Sequence, residues 1–135
     1  MEETSTWTTI LIVEDGTDLR MLLADVFEGE GYKVLIAANG KEALRILDYQ
    51  VVDVILTDFR MPEMGGLVFG QTVKAEERLK HIPIILLSAT PLADAWEKFG
   101  VFQAYLWKPA PLEDIIDTVR LAHIQGNEDR RGLAS

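Results

Sequence analysis

Five polar side chains follow four short apolar runs of the chain, at the point where each run ends. They belong to Glu14, Asp15, Asp58, Ser88 and Lys108. Three carboxylates held close together repel one another unless a proton or a cation compensates their charge, and hard ions such as Mg²⁺ prefer oxygen ligands of this kind. With a cation bound, one carboxylate could attack a phosphoryl group while the hydroxyl and the ammonium stabilise its oxygens. These residue types therefore predict a phospho-acceptor site.

Short apolar runs alternate with segments of helical period along most of the chain. Strands are expected at 10–13, 34–37, 54–57, 83–87 and 104–107. Helices are expected at 19–27, 39–47, 67–79, 92–99 and from Pro111 onward, where apolar residues recur every three or four positions. Thr17 is the predicted N-cap of the first helix, and Asn39 with Glu42 resembles a capping box. Gly70 weakens the third helix unless another group packs closely against it.

The strands are apolar on both faces, so helices must cover both sides of the sheet. Five βα units therefore predict an α/β fold with a doubly wound, five-stranded parallel sheet. Function in such sheets is found beyond the carboxyl ends of the strands. Taken singly, each polar residue there is more often a cap, a turn residue or a solvated charge. Their common location at one edge of the sheet is what favours chemistry.

Composition limits the other classes of function. With 135 residues, 48% of them apolar, the chain is expected to form one globular domain over 9–124, with an N-terminal extension at 1–8 and a flexible tail at 125–135. The net charge of −9 disfavours binding to nucleic acid or anionic membranes. The absence of Cys, of a basic leader and of a long apolar run fits a cytoplasmic protein that is not inserted in a membrane.

The sequence resembles the receiver domain of two-component response regulators over about 10–122. The most specific segment, DVILTDFRMPEMGG at 53–66, is similar to the phospho-acceptor strand of that family and its Met-Pro-x-Met-x-Gly loop. Further matches are Glu14-Asp15, Ser88-Ala89 and the YLWKP segment at 105–109. The resemblance implies a flavodoxin-like (βα)5 fold with strand order 2-1-3-4-5.

The resemblance also implies a role for each acidic residue. Asp58 would accept a phosphoryl group from a phosphohistidine of a sensor histidine kinase or a histidine phosphotransfer protein. Mg²⁺ would be held by Asp15, by the Asp58 carboxylate and by the backbone carbonyl of Arg60, with Glu14 acting largely through water. The Arg60 side chain and Thr90 lie two residues after Asp58 and Ser88, positions from which the family tunes hydrolysis of the phosphoryl group.

Three other residues are implied to respond to phosphorylation. Ser88 would turn toward the new phosphoryl oxygen, Lys108 would pair with it, and Tyr105 would swing inward. The Lys108–Pro109 peptide bond is expected to be cis, which X-Pro bonds allow at small cost. A phosphoryl group adds nearly two negative charges, so recruiting a hydroxyl and an ammonium to it biases a loop between two states.

The segment between Ser88 and Lys108 departs from the common pattern of the family. It is shorter than usual, and residues 100–104 stand where the family commonly has Gly-Ala-Asp-Asp before the tyrosine. The predicted fourth helix, at 92–99, and the switch residues are therefore expected to differ from the common form. Strand alternation places Trp107 on the same side as Tyr105. The Trp107 ring is interpreted either as partly buried under the preceding helix or as an exposed anchor for a partner.

Individual residues argue against two competing functions. A haloacid dehalogenase-like phosphatase has Asp-x-Asp, but the second position here is Arg60, which argues against a turnover enzyme. A flavodoxin-like cofactor site would place Glu14 and Asp15 against a phosphate, which they would repel. A receiver-like interaction module that works without phosphorylation stays open. A receiver of this length is expected to stand alone as a monomer or weak homodimer, docking to a downstream protein or passing its phosphoryl group onward.

Overall fold

The computed structural model describes residues 7–89 and 100–134 of the chain, with side chains of the last helix described up to Asn127. Its strands are β1 (Thr9–Val13), β2 (Lys33–Ala37), β3 (Val54–Thr57), β4 (Ile84–Ser88) and β5 (Ala104–Trp107). The helices within the described ranges are α1 (Thr17–Gly29), α2 (Gly40–Tyr49), α3 (Gly66–Ala75) and α4 (Leu112–Ala134). The predicted helix at 92–99 and the candidate residue Thr90 lie outside the described residues.

All five strands are parallel and form one sheet in the order β2-β1-β3-β4-β5. Successive strands are added to one side of β1 and then to the other, because β1 pairs with β2 on one side and with β3 on the other. A crevice forms at such a switch point, beyond the carboxyl ends of the strands. The predicted strand order is confirmed, and the candidate residues after β1 and β3 lie beside this crevice.

Alternation along the central strands produces two cores, one on each face of the sheet. On one face Leu11 and Ile55 pack with buried residues of α2 and α3. On the other face Ile10 and Val54 pack with buried residues of α1 and α4. These strand residues are 0% exposed, so the central strands carry no solvated face. The prediction of helices on both sides of a parallel sheet is confirmed.

The N-termini of the first two helices differ in how they are capped. The prediction of Thr17 as N-cap is wrong: Gly16 occupies that position without a side-chain cap, and its N–H donates to Glu14 Oε2 at 2.9 Å. The predicted Asn39 N-cap of α2 is confirmed, but the returning bond of Glu42 reaches the residue before the cap and not the cap itself. Asn39 Oδ1 accepts from Glu42 N at 3.0 Å, and Glu42 Oε1 accepts in turn from Ala38 N at 2.9 Å.

Helix α3 is shorter than its apolar period predicted. It ends at Ala75, and Glu76 is extended, with φ −96° and ψ 122°. Beyond it Lys74 Nζ donates to Ile82 O at 2.6 Å and to Lys80 O at 3.1 Å, which fastens the turn that leads into β4. Burial lowers the pKa of this lysine. Gly70 has the close neighbour its position required, because a Cβ there would overlap a methyl group of Val101.

The last helix extends well past its predicted end. Residues from 125 onward were expected to form a flexible tail, but they continue α4 to Ala134. Near the start of this extension the helix contacts the residue before β4: a Cβ on Gly126 would lie 3.4 Å from Pro83 Cγ. Across the described ranges, the helices are all too short or too polar to cross a bilayer.

Candidate functional site

The carboxyl ends of β1, β3 and β5 bring four of the five predicted side chains together. Glu14, Asp15 and Asp58 each place one carboxylate oxygen so that the three oxygens lie within 4.8 Å of one another. Lys108 Nζ lies 3.0 Å from Glu14 Oε1 and 3.2 Å from Asp58 Oδ2. The cluster therefore contains three carboxylates and one ammonium group, which pairs with two of them. Such a cluster keeps an excess of negative charge that a further cation can compensate.

Asp58 is held in place from both its backbone and its side chain. Its backbone N–H donates to Val13 O at 2.9 Å, continuing the pairing of β3 with β1. Its Oδ1 accepts from Phe59 N at 2.7 Å, and Oδ2 faces Lys108. The residue is only 9% exposed. One carboxylate oxygen is therefore fixed by the main chain while the other lies among the charged groups.

Glu14 links the lysine to the start of α1. Its Oε2 accepts from Gly16 N at 2.9 Å and its Oε1 accepts from Lys108 Nζ, although the residue is only 5% exposed. Burial raises the pKa of Glu14, while the hydrogen bonds from Gly16 and Lys108 act against that rise. The neighbouring Asp15 is exposed. The acidic pair therefore divides into a buried member that binds the lysine and an open member at the mouth of the site.

Lys108 remains a cation in this setting. Burial alone lowers its pKa, but the hydrogen bond to Glu14 and the charge of Asp58 outweigh it and raise the pKa above its ordinary value. Its backbone N–H donates to Ser88 O at 2.9 Å, which joins the end of β5 to the end of β4. The predicted cis peptide bond between Lys108 and Pro109 is confirmed.

Ser88 and Tyr105 lie beside this cluster on neighbouring strands. Ser88 is only 1% exposed, and its carbonyl oxygen lies 3.5 Å from the Tyr105 hydroxyl oxygen, a long contact. Burial raises the pKa of Tyr105. The Tyr105 ring meets Trp107 edge-on with centroids 6.2 Å apart, which confirms that both project from the same side of β5. Trp107 is 52% exposed, which favours its interpretation as an exposed aromatic.

The loop after β3 folds back onto the backbone of Asp58. Gly66 N donates to Phe59 O at 2.8 Å, and a Cβ on Gly66 would overlap the carbonyl oxygen of Asp58. Met64 O accepts from Gly40 N at 2.9 Å, so the loop is also fastened to α2. Arg60 and Asp15 line an open cleft of about 450 Å³ over the site. Only glycine at 66 allows this close return of the loop to the predicted acceptor.

Among the described residues, one side chain that contacts the site was not predicted from the sequence. Arg20, in α1, donates from Nη1 to Glu14 O at 2.9 Å and lies 3.5 Å from Asp15 O. The sequence feature that could have indicated it is an arginine five residues after the acidic pair, close enough for its side chain to reach back from α1. A single such arginine is too common in helices to have been singled out without the geometry.

The fold and the site together define a doubly wound α/β protein with a carboxylate and lysine cluster at its switch point. The sequence model of the response regulator receiver domain matches residues 10–120. The polar-differentiation response regulator DivK of Brucella anthropi is 32% identical over 114 residues, which cover 83% of this chain and 93% of DivK. The chain belongs to the family of response regulator receiver domains.

Solved structures of similar proteins agree with this assignment. The chemotaxis response regulator CheY4 of Vibrio cholerae has a TM-score of 0.80 at 28% identity, covering 87% of this chain and 99% of CheY4. The response regulator TrrA of Thermotoga maritima, solved in complex with Mg²⁺ and BeF, has a TM-score of 0.77 at 27% identity, covering 85% and 98% of the two chains. The predicted fold and family resemblance are confirmed.

Membership of the family establishes the general activity. Receiver domains of two-component systems act as phospho-acceptors, bind Mg²⁺ at their acidic site, and interact with histidine kinases or phosphotransfer proteins and with downstream targets. The cluster of Glu14, Asp15 and Asp58 fits such a site.

Proposed function

We propose that this receiver takes a phosphoryl group onto Asp58 from a sensor histidine kinase or a histidine phosphotransfer protein, in a reaction that requires Mg²⁺. The observation that carries the proposal is the position of the Asp58 carboxylate, with one oxygen fixed by Phe59 N and the other beside Lys108 within the acidic cluster. A nucleophile needs this combination of fixed orientation and nearby positive charge.

The donor set fits a divalent cation. Asp15 and Asp58, together with the Arg60 carbonyl, would hold it, and Glu14 would act through water, because Lys108 already occupies its Oε1. The bound cation would supply neutralisation of the phosphoryl oxygens. The excess of carboxylates over ammonium groups in this cluster supports the assignment.

The transfer itself is carried by groups of this chain. An Asp58 carboxylate oxygen attacks phosphorus, and the bond from phosphorus to the donor imidazole nitrogen breaks. The electron pair of that bond leaves with the nitrogen. Lys108, already within 3.2 Å of Asp58 Oδ2, pairs with a phosphoryl oxygen. Phe59 N holds Oδ1 at 2.7 Å, which keeps the carboxylate oriented as its charge is lost.

The response to phosphorylation runs through the end of β4. Ser88 would turn its hydroxyl to the phosphoryl group, and Tyr105 would swing inward beside it. Support comes from the backbone of Ser88, whose carbonyl oxygen accepts from Lys108 N and also contacts the Tyr105 hydroxyl. A shift of the Ser88 backbone would therefore reach both residues. Thr90 stays a sequence-based prediction as a residue that tunes the site.

The domain at 9–124 would act as a switch and not as a turnover enzyme. It takes a phosphoryl group onto its own Asp58 and then loses that group by hydrolysis. We expect it to work in the cytoplasm as a monomer or weak homodimer, signalling to a downstream protein or passing the phosphoryl group onward. The half-exposed Trp107 offers an apolar contact for such a partner.

The direct test is the intact mass of the protein after incubation with Mg²⁺ and a small phosphodonor. One phosphoryl group is expected to be added, and peptide mapping should locate it on Asp58. Chelation of the divalent cation before the donor is added should suppress the adduct. An interaction module that works without phosphorylation would show no adduct from the phosphodonor or from a cognate kinase.

Arg60 is expected to prolong the life of the phosphorylated state. Its long side chain lines the cleft beside Asp15, so Arg60→Asn should admit water and speed the loss of the phosphoryl group several-fold. Decay of the adduct after removal of the donor measures this rate. Arg45→Asn, on the exposed surface of α2, removes the same charge and should decay like the wild type. Equal decay of the wild type and Arg60→Asn would contradict the assignment.

A further inference from the structure

Arg20 contacts the backbone of the acidic pair from α1. Its Nη1 donates to Glu14 O at 2.9 Å, which is an ordinary hydrogen bond, and lies 3.5 Å from Asp15 O, a weaker contact. Among the residues that the structure describes, these are the contacts of its guanidinium, and neither of them is to a carboxylate. Arg20 therefore binds the main chain of the loop and not the carboxylate oxygens of the acidic pair.

The loop needs such support because it has left the sheet. Strand β1 ends at Val13, and the last pairing with β2 is the bond from Glu14 N to Ala37 O at 3.0 Å. The carbonyl groups of Glu14 and Asp15 come after that point. A carbonyl without a partner in the sheet must be satisfied by water or by a side chain. Arg20 supplies that side chain for Glu14.

The two acidic residues depend on this contact to different degrees. The Glu14 side chain is tied independently, through Gly16 N at 2.9 Å and Lys108 Nζ at 3.0 Å. Asp15 is exposed, and within the described ranges its carboxylate accepts no hydrogen bond that would hold it. The place of its oxygen near Asp58 is therefore set by the backbone at 14 and 15, which is where Arg20 binds.

We propose that Arg20 is a positioning residue for the cation site: it fixes the backbone of the acidic pair so that the Asp15 carboxylate stays within reach of Asp58. The inference rests on the proposed Mg²⁺-dependent function and adds to it a residue that touches neither the cation nor the phosphoryl group. Removal of a group that orients a metal ligand without touching the metal typically lowers metal affinity by about tenfold or more.

Charge and positioning make opposite predictions for this residue. Arg20 is a cation close to a cluster of carboxylates, so its positive charge by itself opposes the binding of another cation. If charge were its main effect, an uncharged replacement would tighten Mg²⁺ binding. If positioning is its main effect, the same replacement weakens Mg²⁺ binding although the site has become more negative. The sign of the change separates the two.

The experiment is a titration with Mg²⁺ alone, followed through the backbone amide resonances of Asp15, Gly16 and Phe59. Arg20→Gln is expected to weaken binding by about tenfold. Arg20→Lys keeps the charge but loses the planar guanidinium, and it should be weakened as well. Arg120→Gln is the matched control. It removes one arginine that pairs with Glu30 and Asp117 near the opposite end of α1, and it should bind like the wild type.

A second readout uses the rate of phosphorylation by a small phosphodonor at increasing Mg²⁺. For Arg20→Gln the Mg²⁺ concentration at half-maximal rate should rise by about tenfold while the maximal rate stays unchanged. A general loss of structure would lower the maximal rate and the melting temperature instead. If Arg20→Gln does not fold, Arg20→Lys still tests the proposal: weaker Mg²⁺ binding at unchanged charge supports positioning, and binding like the wild type contradicts it.

The outcomes separate this inference from the proposed function. Wild-type protein that shows neither Mg²⁺ binding nor an adduct overturns the proposed function, and the role of Arg20 with it. Wild-type protein that binds Mg²⁺, with Arg20→Gln binding equally or more tightly, overturns the positioning role alone. Weaker binding by both Arg20 variants, with Arg120→Gln unchanged, supports it.

Discussion

Asp58→Asn is expected to abolish the phosphoryl adduct completely. The amide has nearly the same shape as the carboxylate, so the hydrogen bond from Phe59 N, 2.7 Å in the wild type, can be kept. An amide oxygen is a far weaker nucleophile than a carboxylate, and the cation loses one charged ligand at the same time. The measurement is the intact mass after incubation with Mg²⁺ and a small phosphodonor, under conditions in which the wild type is fully modified.

The matched control for this variant is Asp53→Asn, in the same segment of the chain. Asp53 Oδ2 accepts from Thr9 N at 2.8 Å at the opposite end of β3, and an Asn oxygen can accept that bond as well. We expect Asp53→Asn to be phosphorylated like the wild type. An adduct on Asp58→Asn, at whatever residue, would show that the acidic cluster does not place Asp58 alone as the acceptor.

Lys108→Met is expected to destabilise the protein by about 3 kcal/mol in the absence of divalent cations, because it leaves buried carboxylates without their partner. Within the part of the chain that the structure describes, Lys108 is the cation paired with Glu14 and Asp58, whose side chains are 6% and 10% exposed. Added Mg²⁺ should restore much of this loss, since a cation that binds only the folded state stabilises it. Urea unfolding with and without Mg²⁺ measures both effects.

Lys80→Met is the control for the loss of a lysine. Its partner Glu77 is 86% exposed and lies three positions earlier in the same turn, so the expected change is below about 1 kcal/mol and insensitive to Mg²⁺. The interpretation of Lys108 as the partner of the cluster would be wrong if both variants lost the same stability, or if Mg²⁺ stabilised Lys108→Met no more than the wild type.

Much of the fold could be predicted because strand patterns are local. The strands at 54–57 and 104–107 were predicted at their observed bounds, and the other three were placed to within one residue. Continuous apolar runs can be read without knowing the neighbours, because a strand in a doubly wound sheet is covered on both faces. The same pattern placed the polar residues at the strand ends, and so the candidate site.

Helix ends were less predictable because they depend on contacts distant in sequence. The period of α3 continued to Leu79, but the helix ends at Ala75, where Lys74 binds carbonyl groups of the following turn. Helix α4 continued past its apolar stripe, with Gly126 packed against Pro83. A local pattern contains neither of these contacts.

The amino-acid sequence by itself determined the class of this protein and the chemical groups of its site, because residue type and strand-end position are properties of the chain. Only the tertiary structure decided how the charges pair. It joined Lys108 to Glu14 as well as to Asp58 and placed Arg20 behind the acidic pair. These contacts span from six residues to more than ninety along the chain, and their ångström-scale distances arise only when β1, β3 and β5 are packed at one edge of the sheet.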